Sequence, residues 1–128
     1  MIPRTTRSIG AFGEKKAAAY LMRHGYLIEE RNWRTGKYEI DIIAVSLTDV
    51  VFAEVKTRTY QQKDLETAAP PKNAVHLSKQ QYTRCAAQRY LQAHPTKKQP
   101  RMDVIEVWLD ADAPRPKVLK IHHIKAAY

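Results

Sequence analysis

The chain has little of what several protein classes depend on. Its 128 residues include one cysteine, Cys85, which excludes an internal disulfide and a cysteine-based zinc cluster. Its apolar runs are interrupted within a few residues, and its first residues lack the apolar stretch of a signal peptide, so neither a membrane span nor secretion is expected. We therefore expect one cytoplasmic domain, residues 1–128, with a single hydrophobic core.

Acidic residues are also scarce. The chain has 22 Lys and Arg against 13 Asp and Glu, which gives a formal net charge of +9. A positive surface attracts polyanions over a long range, and contacts with phosphates supply affinity for nucleic acid that does not depend on sequence. Basic charge alone is weak evidence, because ribosomal and membrane-surface proteins share it. The placement of the few acidic residues is therefore more informative than their number.

Several of the acidic residues lie in a predicted β-hairpin in the first half of the chain. If residues 46–49 form a symmetric loop, Asp41 faces Glu54 and Glu39 faces Lys56. Side chains alternate between the two faces of a strand, and facing partners share a face. The pattern therefore predicts that three carboxylates and one ammonium group converge on one patch.

Such a patch is costly unless a cation binds it. Two carboxylates directly across an antiparallel pair repel, by about 0.2–1 kcal/mol. A divalent cation reverses the sign of this term, and Mg²⁺ is commonly held by one or two carboxylates, water and a substrate phosphate. Asp41 and Glu54 are thus predicted to bind Mg²⁺ or Mn²⁺. The alternative is a solvated strand face on which Glu39 pairs with Lys56.

The apolar residues of the hairpin argue against a solvated face. Both faces are rich in apolar side chains, which is typical of a central strand pair covered on both sides. One face is predicted to carry the charged residues together with Ile43, Val45, Val50 and Phe52, and the other Ile40, Ile42, Ala44, Val51, Ala53 and Val55.

Helical periodicity predicts a first helix that begins at an N-cap, Ser8, and ends at Gly25. Small residues on its apolar stripe, such as Gly13, would let the helix approach the sheet closely and bring Glu14 toward the hairpin. As an alternative, Glu14 is an ordinary helix-start glutamate that the helix dipole favours.

A second helix is predicted from Ser78 to about His94. Its first turns contain Lys79 and Gln80, where backbone amides favour phosphate. Its aromatic residues are interpreted as packing residues and not as platforms for bases. The predicted core stripe is Tyr82, Cys85, Ala86, Tyr90 and Ala93.

The remaining segments are interpreted as strands and one long loop. Strands are expected at residues 26–33, 102–109 and 118–124. Residues 59–73 are predicted to form a mobile loop, which suits a substrate clamp and equally suits plain disorder. The histidines have no partners at metal-ligand spacing, so we expect them to be surface or strand residues.

Together these motifs resemble the PD-(D/E)xK nuclease superfamily and, more closely, the bacterial YraN family, whose members are largely uncharacterised. The resemblance covers nearly the whole chain. It implies a restriction-endonuclease-like α/β fold of three layers, with a central mixed five-stranded sheet flanked by helices in the order αβββαββ. The matching segments are residues 10–14, 25–26, 30–33, 39–44, 51–58, 79–80, 101–107 and 123–128.

The acidic residues are laid out as in archaeal Holliday-junction resolvases. By this resemblance Glu14, Asp41, Glu54 and Lys56 match active-site positions. Asp41 and Glu54, with the Val55 carbonyl, would hold the metal ion, and Glu14 would complete its shell directly or through water. Lys56 would position the attacking water or offset charge on phosphorus.

Two further positions have less defined roles. Glu39 would orient Lys56 or help to bind a second ion, and Gln80 is a further supporting residue. The chain departs from the family at Tyr38, where a glycine is usual. A phenol there is expected to point away from the charged patch and to alter how closely a helix packs.

The resulting hypothesis is a metal-dependent endonuclease that hydrolyses phosphodiester bonds of DNA, branched or structured DNA included. A catalytically inactive nucleic-acid-binding module and an interaction subunit with structural charges remain as alternatives. Expected partners are nucleic acid and, in a homodimer, a second copy of the chain; no membrane is expected. The nucleic-acid-binding residues are predicted to be Arg31, Arg34, Lys37, Arg58, Lys72 and Lys79.

Overall fold

The computed structural model describes residues 6–61 and 77–128. Helices and strands follow the predicted order αβββαββ. They are α1 (Thr6–Arg23), β1 (Leu27–Thr35), β2 (Tyr38–Val45), β3 (Asp49–Tyr60), α2 (Leu77–Ala93), β4 (Gln99–Asp110) and β5 (Val118–Ile124).

The five strands form one sheet in sequential order, β1-β2-β3-β4-β5. Strands β3 and β4 are parallel, and every other neighbouring pair is antiparallel. Parallel neighbours need a crossover connection, and α2 lies in the segment that joins β3 to β4. The mixed five-stranded sheet and its flanking helices confirm the predicted fold class.

Each face of the sheet is covered by one helix. The face toward α1 contributes apolar side chains from all strands of the sheet, and the face toward α2 contributes a smaller set. Buried residues on the α1 side include Ala17, Leu21, Ile42, Val51, Ala53 and Ile105, and those on the α2 side include Ile40, Ile43, Val50, Phe52, Ala86 and Tyr90.

The C-terminus of α1 is a Schellman motif. The Gly25 amide donates to the Met22 carbonyl at 3.3 Å, and the Tyr26 amide donates to the Leu21 carbonyl at 3.0 Å. Gly25 has a φ of 89°, which a residue with a Cβ adopts only at a cost. This glycine therefore ends the helix as the sequence predicts and turns the chain into β1.

The predicted register of the β2–β3 hairpin is correct where the ladder exists. The paired residues run from Val45 opposite Val50 to Ile42 opposite Ala53. The ladder then stops, so the predicted pairing of Asp41 with Glu54 does not form as a backbone pair. Ile40 was predicted on the same face as Ile42 and Val51, and this prediction is wrong: Ile40 packs in the α2-side cluster, and the other two pack in the α1-side cluster.

Ile40 and Ile42 pack on opposite faces of the sheet, so the side chains of β2 do not alternate regularly there. The cause lies in the neighbouring strand β1. Trp33 pairs with Ile40 and Arg31 with Ile42, which leaves Asn32 opposite Asp41. Asn32 has a φ of 52°, a left-handed conformation that asparagine tolerates better than most residues. This irregularity turns Ile40 onto the other face of the sheet.

The predicted core stripe of α2 is only partly correct. Ala86 and Tyr90 are buried, but Tyr82 is 45% exposed and Ala93 is exposed. Cys85 is half-buried. Thr83 and Ala87 are buried instead, so the helix is rotated by about one residue relative to the predicted stripe.

Most strands are longer than predicted. Strands β3 and β4 extend furthest because they pair along their whole length, from Asp49 opposite Gln99 to Tyr60 opposite Asp110. The predicted loop at 59–73 therefore begins inside β3, and its residues from 62 onward lie outside the described part of the chain. None of the helices within the described ranges is long and apolar enough to cross a membrane.

A buried ionic network ties the start of β4 to the end of the chain. Arg101 donates from Nε and an Nη to the two carboxylate oxygens of Asp103, both at 2.8 Å. His123 Nε2 lies 2.6 Å from Asp103, and the Ala126 amide donates to it at 3.0 Å. Burial alone raises the pKa of Asp103, but these hydrogen bonds outweigh it and lower that pKa to about 2.

The tight contact between Gly13 of α1 and Thr57 of β3 gives a prediction for stability. A Cβ at Gly13 would lie 1.9 Å from Thr57 Oγ1, whereas a Cβ at Gly10 would meet no atom within 4 Å. Gly13→Ala should therefore lower the free energy of unfolding by about 1–3 kcal/mol, since it overpacks a tight contact. Gly10→Ala should raise it by about 0.5–1 kcal/mol. Urea unfolding of both variants tests this, and equal effects would contradict the assigned contact.

Candidate active site

Asp41 occupies the point where strands β2 and β3 separate. Beyond Ile42 and Ala53 the two backbones no longer pair, while β3 continues to pair with β4. The Val55 amide therefore lacks a β2 backbone acceptor, and it donates instead to Asp41 Oδ2 at 2.8 Å. A side chain thus closes the gap that the hairpin leaves open.

The Asp41 carboxyl is an unfavourable place for a negative charge. Its pKa is raised to about 7, and the causes that raise it are burial, then the nearby Glu54 carboxylate, then Glu14. The hydrogen bond from the Val55 amide and the Lys79 ammonium act in the opposite direction. Two carboxylates near one another in a desolvated site cannot both ionise without cost.

Glu54 lies on β3 and is 6% exposed. Its two oxygens face one lysine each: Lys56 Nζ at 3.3 Å from Oε1, and Lys79 Nζ at 3.9 Å from Oε2. Lys79 lies in the first turn of α2, so the helix that connects β3 to β4 also contributes to the cluster. The two ammonium groups offset part of the charge that Glu54 and Asp41 concentrate.

Glu14 reaches the cluster from α1, where the contact between Gly13 and Thr57 brings the helix against β3. Its Oε1 atom is buried and has no hydrogen-bond partner in the described parts of the chain. Burial raises the Glu14 pKa, and Arg31 is the strongest influence that lowers it. Glu39 and Glu54 raise this pKa as well. Glu14 is therefore part of the acidic cluster and not only a helix-start residue.

Glu39 and Lys56 have different partners from those considered from sequence. Arg34 Nη lies 3.6 Å from Glu39 Oε1, across the β1–β2 ladder in which the two residues pair. The ion pair of Lys56 is with Glu54. Among the described residues, no ion pair joins Glu39 to Lys56. Glu39 acts on the site through its field at Glu14.

The predicted nucleic-acid-binding residues differ in their exposure and in their distance from the cluster. Arg31, Arg34, Lys37 and Arg58 are exposed, and Lys79 lies in the cluster itself. Lys72 is outside the described residues. Gln80 is half-buried in the first turn of α2, next to Lys79.

Sequence reasoning missed two side chains near the site. The buried hydroxyl of Tyr128 is close enough to Glu54 and Asp41 for both to raise its pKa, after burial, which has the largest effect. The hydroxyl of Thr83 lies nearby and donates to the Lys79 carbonyl at 2.9 Å, and the Tyr128 hydroxyl has no hydrogen-bond partner among the described residues. No pattern in the sequence marks Tyr128 as a site residue.

The second missed residue is Glu106, which pairs with Lys56 in the parallel β3–β4 register. It is 0% exposed, and neither of its oxygens has a hydrogen-bond partner within the described ranges; His122 Nδ1 lies 3.5 Å away. A glutamate between apolar residues of a strand was the available signal. Such a buried carboxyl costs stability, which is typical of functional sites.

The donor set has the chemistry of a divalent-cation site but is not assembled around one point. Within residues 6–61 and 77–128, no group of three or more His, Cys, Asp or Glu is arranged to hold a metal ion. Two observations fit a cation nonetheless: the unpartnered Glu14 Oε1 and the destabilised charge of Asp41. A hard cation prefers carboxylate oxygens and would offset both.

The raised pKa of Asp41 has a measurable consequence for stability. Its folded value of about 7 exceeds the ordinary 3.8, so its contribution is fully present below pH 3.8 and is lost as the pH rises to about 7. Asp41→Asn keeps an acceptor for the Val55 amide but does not ionise. In EDTA, the variant should match the wild type near pH 4 and be more stable at pH 8, by about 2–4 kcal/mol at about 1.4 kcal/mol per pKa unit.

Urea unfolding at several pH values measures this difference. The exposed Asp112 in the β4–β5 turn supplies the control, because Asp112→Asn makes the same chemical change away from the cluster. A stability difference for Asp41→Asn that does not grow with pH would contradict the assigned electrostatics.

Comparison with known proteins places the chain in a family. The model of the uncharacterised protein family UPF0102 matches residues 13–107, which span Glu14, Asp41, Glu54 and Lys56. A UPF0102 protein of Caldanaerobacter subterraneus subsp. tengcongensis is 40% identical over 123 residues, 95% of each chain. One from Bacteroides thetaiotaomicron is 38% identical over 120 residues, which cover 94% of this chain and 91% of the relative.

A third relative, from Chloroflexus aurantiacus, is 43% identical over 106 residues, 81% of this chain and 82% of its own length. The matches extend over nearly the full length of both partners. The chain therefore belongs to the UPF0102 family, the YraN family that its motifs resemble.

Proposed function

We propose that the protein is a metal-dependent nuclease that hydrolyses phosphodiester bonds of DNA. The observation that carries the proposal is the convergence of the Asp41 and Glu54 carboxylates at the open end of the β2–β3 hairpin, where burial and the nearby Glu54 raise the pKa of Asp41 to about 7. Strongly perturbed ionisable groups in a cleft are typical of functional sites. The chain that bears this acidic cluster has a net charge of +9.

Asp41, Glu54 and Glu14 are the residues that would hold the ion, with the Val55 carbonyl as the fourth donor. The ion, Mg²⁺ or Mn²⁺, would supply a Lewis acid and a bound water of lowered pKa. In the described structure Lys56 and Lys79 keep Glu54 oriented within the cleft. Binding of a cation would free these ammonium groups, which then face the phosphate.

Each residue then has a role that follows from its charge. Lys56 is placed to offset charge that develops on the phosphate oxygens, since it lies on the same strand as Glu54 and one pleat further. Lys79 and the amides of the first α2 turn are placed to bind a neighbouring phosphate. Arg34 holds Glu39, and Arg31 limits the rise in the Glu14 pKa.

Basic residues around the cleft account for binding to a polyanion. Arg31, Arg34 and Lys37 lie on β1 and the following turn, and Arg58 lies on β3 just beyond Lys56. All four are exposed. The first three lie on one side of β2 and Arg58 lies on the other, on β3. A DNA backbone that contacts both groups would therefore pass over the carboxylates.

The second candidate is a nucleic-acid-binding module without turnover. The pairing of Glu54 with two lysines favours it, because the carboxylate is already compensated without a metal ion. The two candidates share the basic surface and differ only in metal-dependent cleavage. A binding module would cleave no DNA, and its DNA affinity would stay unchanged when a single carboxylate is removed.

Cleavage and binding should separate in variants of the cluster. Glu54→Gln and Lys56→Ala should each lower the rate of Mg²⁺- or Mn²⁺-dependent cleavage by at least about 100-fold, the effect typical of losing one electrostatic catalytic group. DNA affinity in EDTA should change less than about threefold, since it rests on distributed basic residues. Fluorescent duplex, branched and single-stranded oligonucleotides serve as substrates.

Matched controls exist on the exposed β4–β5 turn. Asp112→Asn and Lys117→Ala change an acid and a lysine away from the cleft and should cleave at the wild-type rate. If the wild type cleaves no substrate of the panel with either ion, the binding module becomes the better account.

A further inference from the structure

Tyr82 lies at the surface of α2 beside the proposed active site. It is 45% exposed, although the helical pattern predicted it in the core. Its ring centroid lies 5.5 Å from that of Tyr38 on β2, with an angle of 57° between the ring planes. Two tyrosines from different elements thus meet at the rim of the sheet, and one presents much of its ring to solvent.

Basic side chains surround this pair of rings. Lys37 Nζ lies 5.6 Å from the Tyr38 centroid and 5.3 Å from that of Tyr82. The Arg89 guanidinium lies 4.8 Å from the Tyr38 centroid. These distances are within the range of cation–π contacts. Lys37 and Arg89 therefore hold the two rings in place. Their positive charges would also attract the phosphate of a nucleotide whose base stacks on the rings.

The aromatic pair is close to the acidic cluster. Tyr82 follows Lys79 by three residues on the same helix, which places the two side chains on neighbouring positions of one face, about 4.5 Å apart along the axis. Lys79 contacts Glu54 at 3.9 Å. Tyr38 begins the strand that carries Asp41. A nucleotide on the rings would lie next to a phosphate in the cleft.

We infer that Tyr82 and Tyr38, with Lys37 and Arg89, form a stacking platform for an unpaired DNA base beside the active site. Bases inside a duplex are stacked on each other and cannot reach a protein ring, whereas unpaired bases stack on aromatic side chains. The substrate class is therefore DNA with unpaired nucleotides. This inference rests on the proposed function, since it names the substrate of that site.

The turn that precedes Tyr38 packs against the platform. Gly36, in this turn, has a φ of 60° and would bring a Cβ to 3.4 Å from an Arg89 Nη, so the turn is packed against Arg89. The platform is held by this turn and by α2.

Tyr82→Ala tests the inference in binding assays in EDTA. Two fluorescent DNAs with equal numbers of phosphates serve as probes: a blunt duplex and a duplex with a single-stranded overhang. Tyr82→Ala should weaken binding of the overhang DNA by about tenfold, because one stacked base contributes about 1–3 kcal/mol. Its affinity for the blunt duplex should stay within twofold of the wild-type value.

A fluorescent base analogue gives a direct reading of stacking. 2-Aminopurine in the overhang should be quenched by the wild type and by Tyr82→Phe, which keeps the ring, but not by Tyr82→Ala. Leu47→Ala is the control for losing an exposed apolar side chain, because Leu47 is 96% exposed in the hairpin loop at the other end of β2 and β3. It should behave as the wild type does.

Three results would overturn the inference: equal losses of affinity for both DNAs in Tyr82→Ala, unchanged quenching in that variant, or no binding of either DNA by the wild type. None of these readings depends on a metal ion or on turnover. Stacking without any metal-dependent cleavage would contradict the proposed nuclease activity alone and would leave the platform established.

Discussion

The separation of β2 from β3 beyond Ile42 and Ala53 is the constraint on which the site depends. A continuous ladder would place backbone groups where the Asp41 carboxylate now accepts the Val55 amide. Because β3 stays paired with β4 along its full length, β2 is the strand that departs, and the Asp41 side chain fills the gap in the β2–β3 ladder. The carboxylates of three different elements gather at this gap, and their partial burial makes their charges expensive.

The rest of the structure stabilises this arrangement from both faces. On the α1 side, the contact of Gly13 with Thr57 fixes how far Glu14 enters the cleft. On the α2 side, Lys79 contacts Glu54. Asp103 belongs to a satisfied network whose hydrogen bonds lower its pKa to about 2, although burial alone would raise it. The charge of Asp103 is thus compensated by its hydrogen bonds, whereas the charge of the half-buried Asp41 is not.

The hairpin register and the identity of the cluster could be predicted from sequence, because alternation and facing pairs are local rules. Ile40 was misplaced because the rule fails at one residue, where Asn32 adopts a left-handed conformation opposite Asp41. The same irregularity separates Glu39 from Lys56. Tyr82 could not be placed, because the rotation of a helix about its axis depends on tertiary packing that no single segment encodes. Glu106 could have been found, because it stands between apolar residues of a strand.

The central claim is that the acidic cluster binds a divalent cation, and calorimetric titration of Mn²⁺ tests it most directly. At pH 8 the wild type should bind Mn²⁺, and Asp41→Asn should bind at least about tenfold more weakly, because metal affinity depends on deprotonated ligands. Binding should weaken as the pH falls through about 7, where Asp41 takes up a proton. Equal affinity of the two proteins at pH 8, or no binding by the wild type, would contradict the claim.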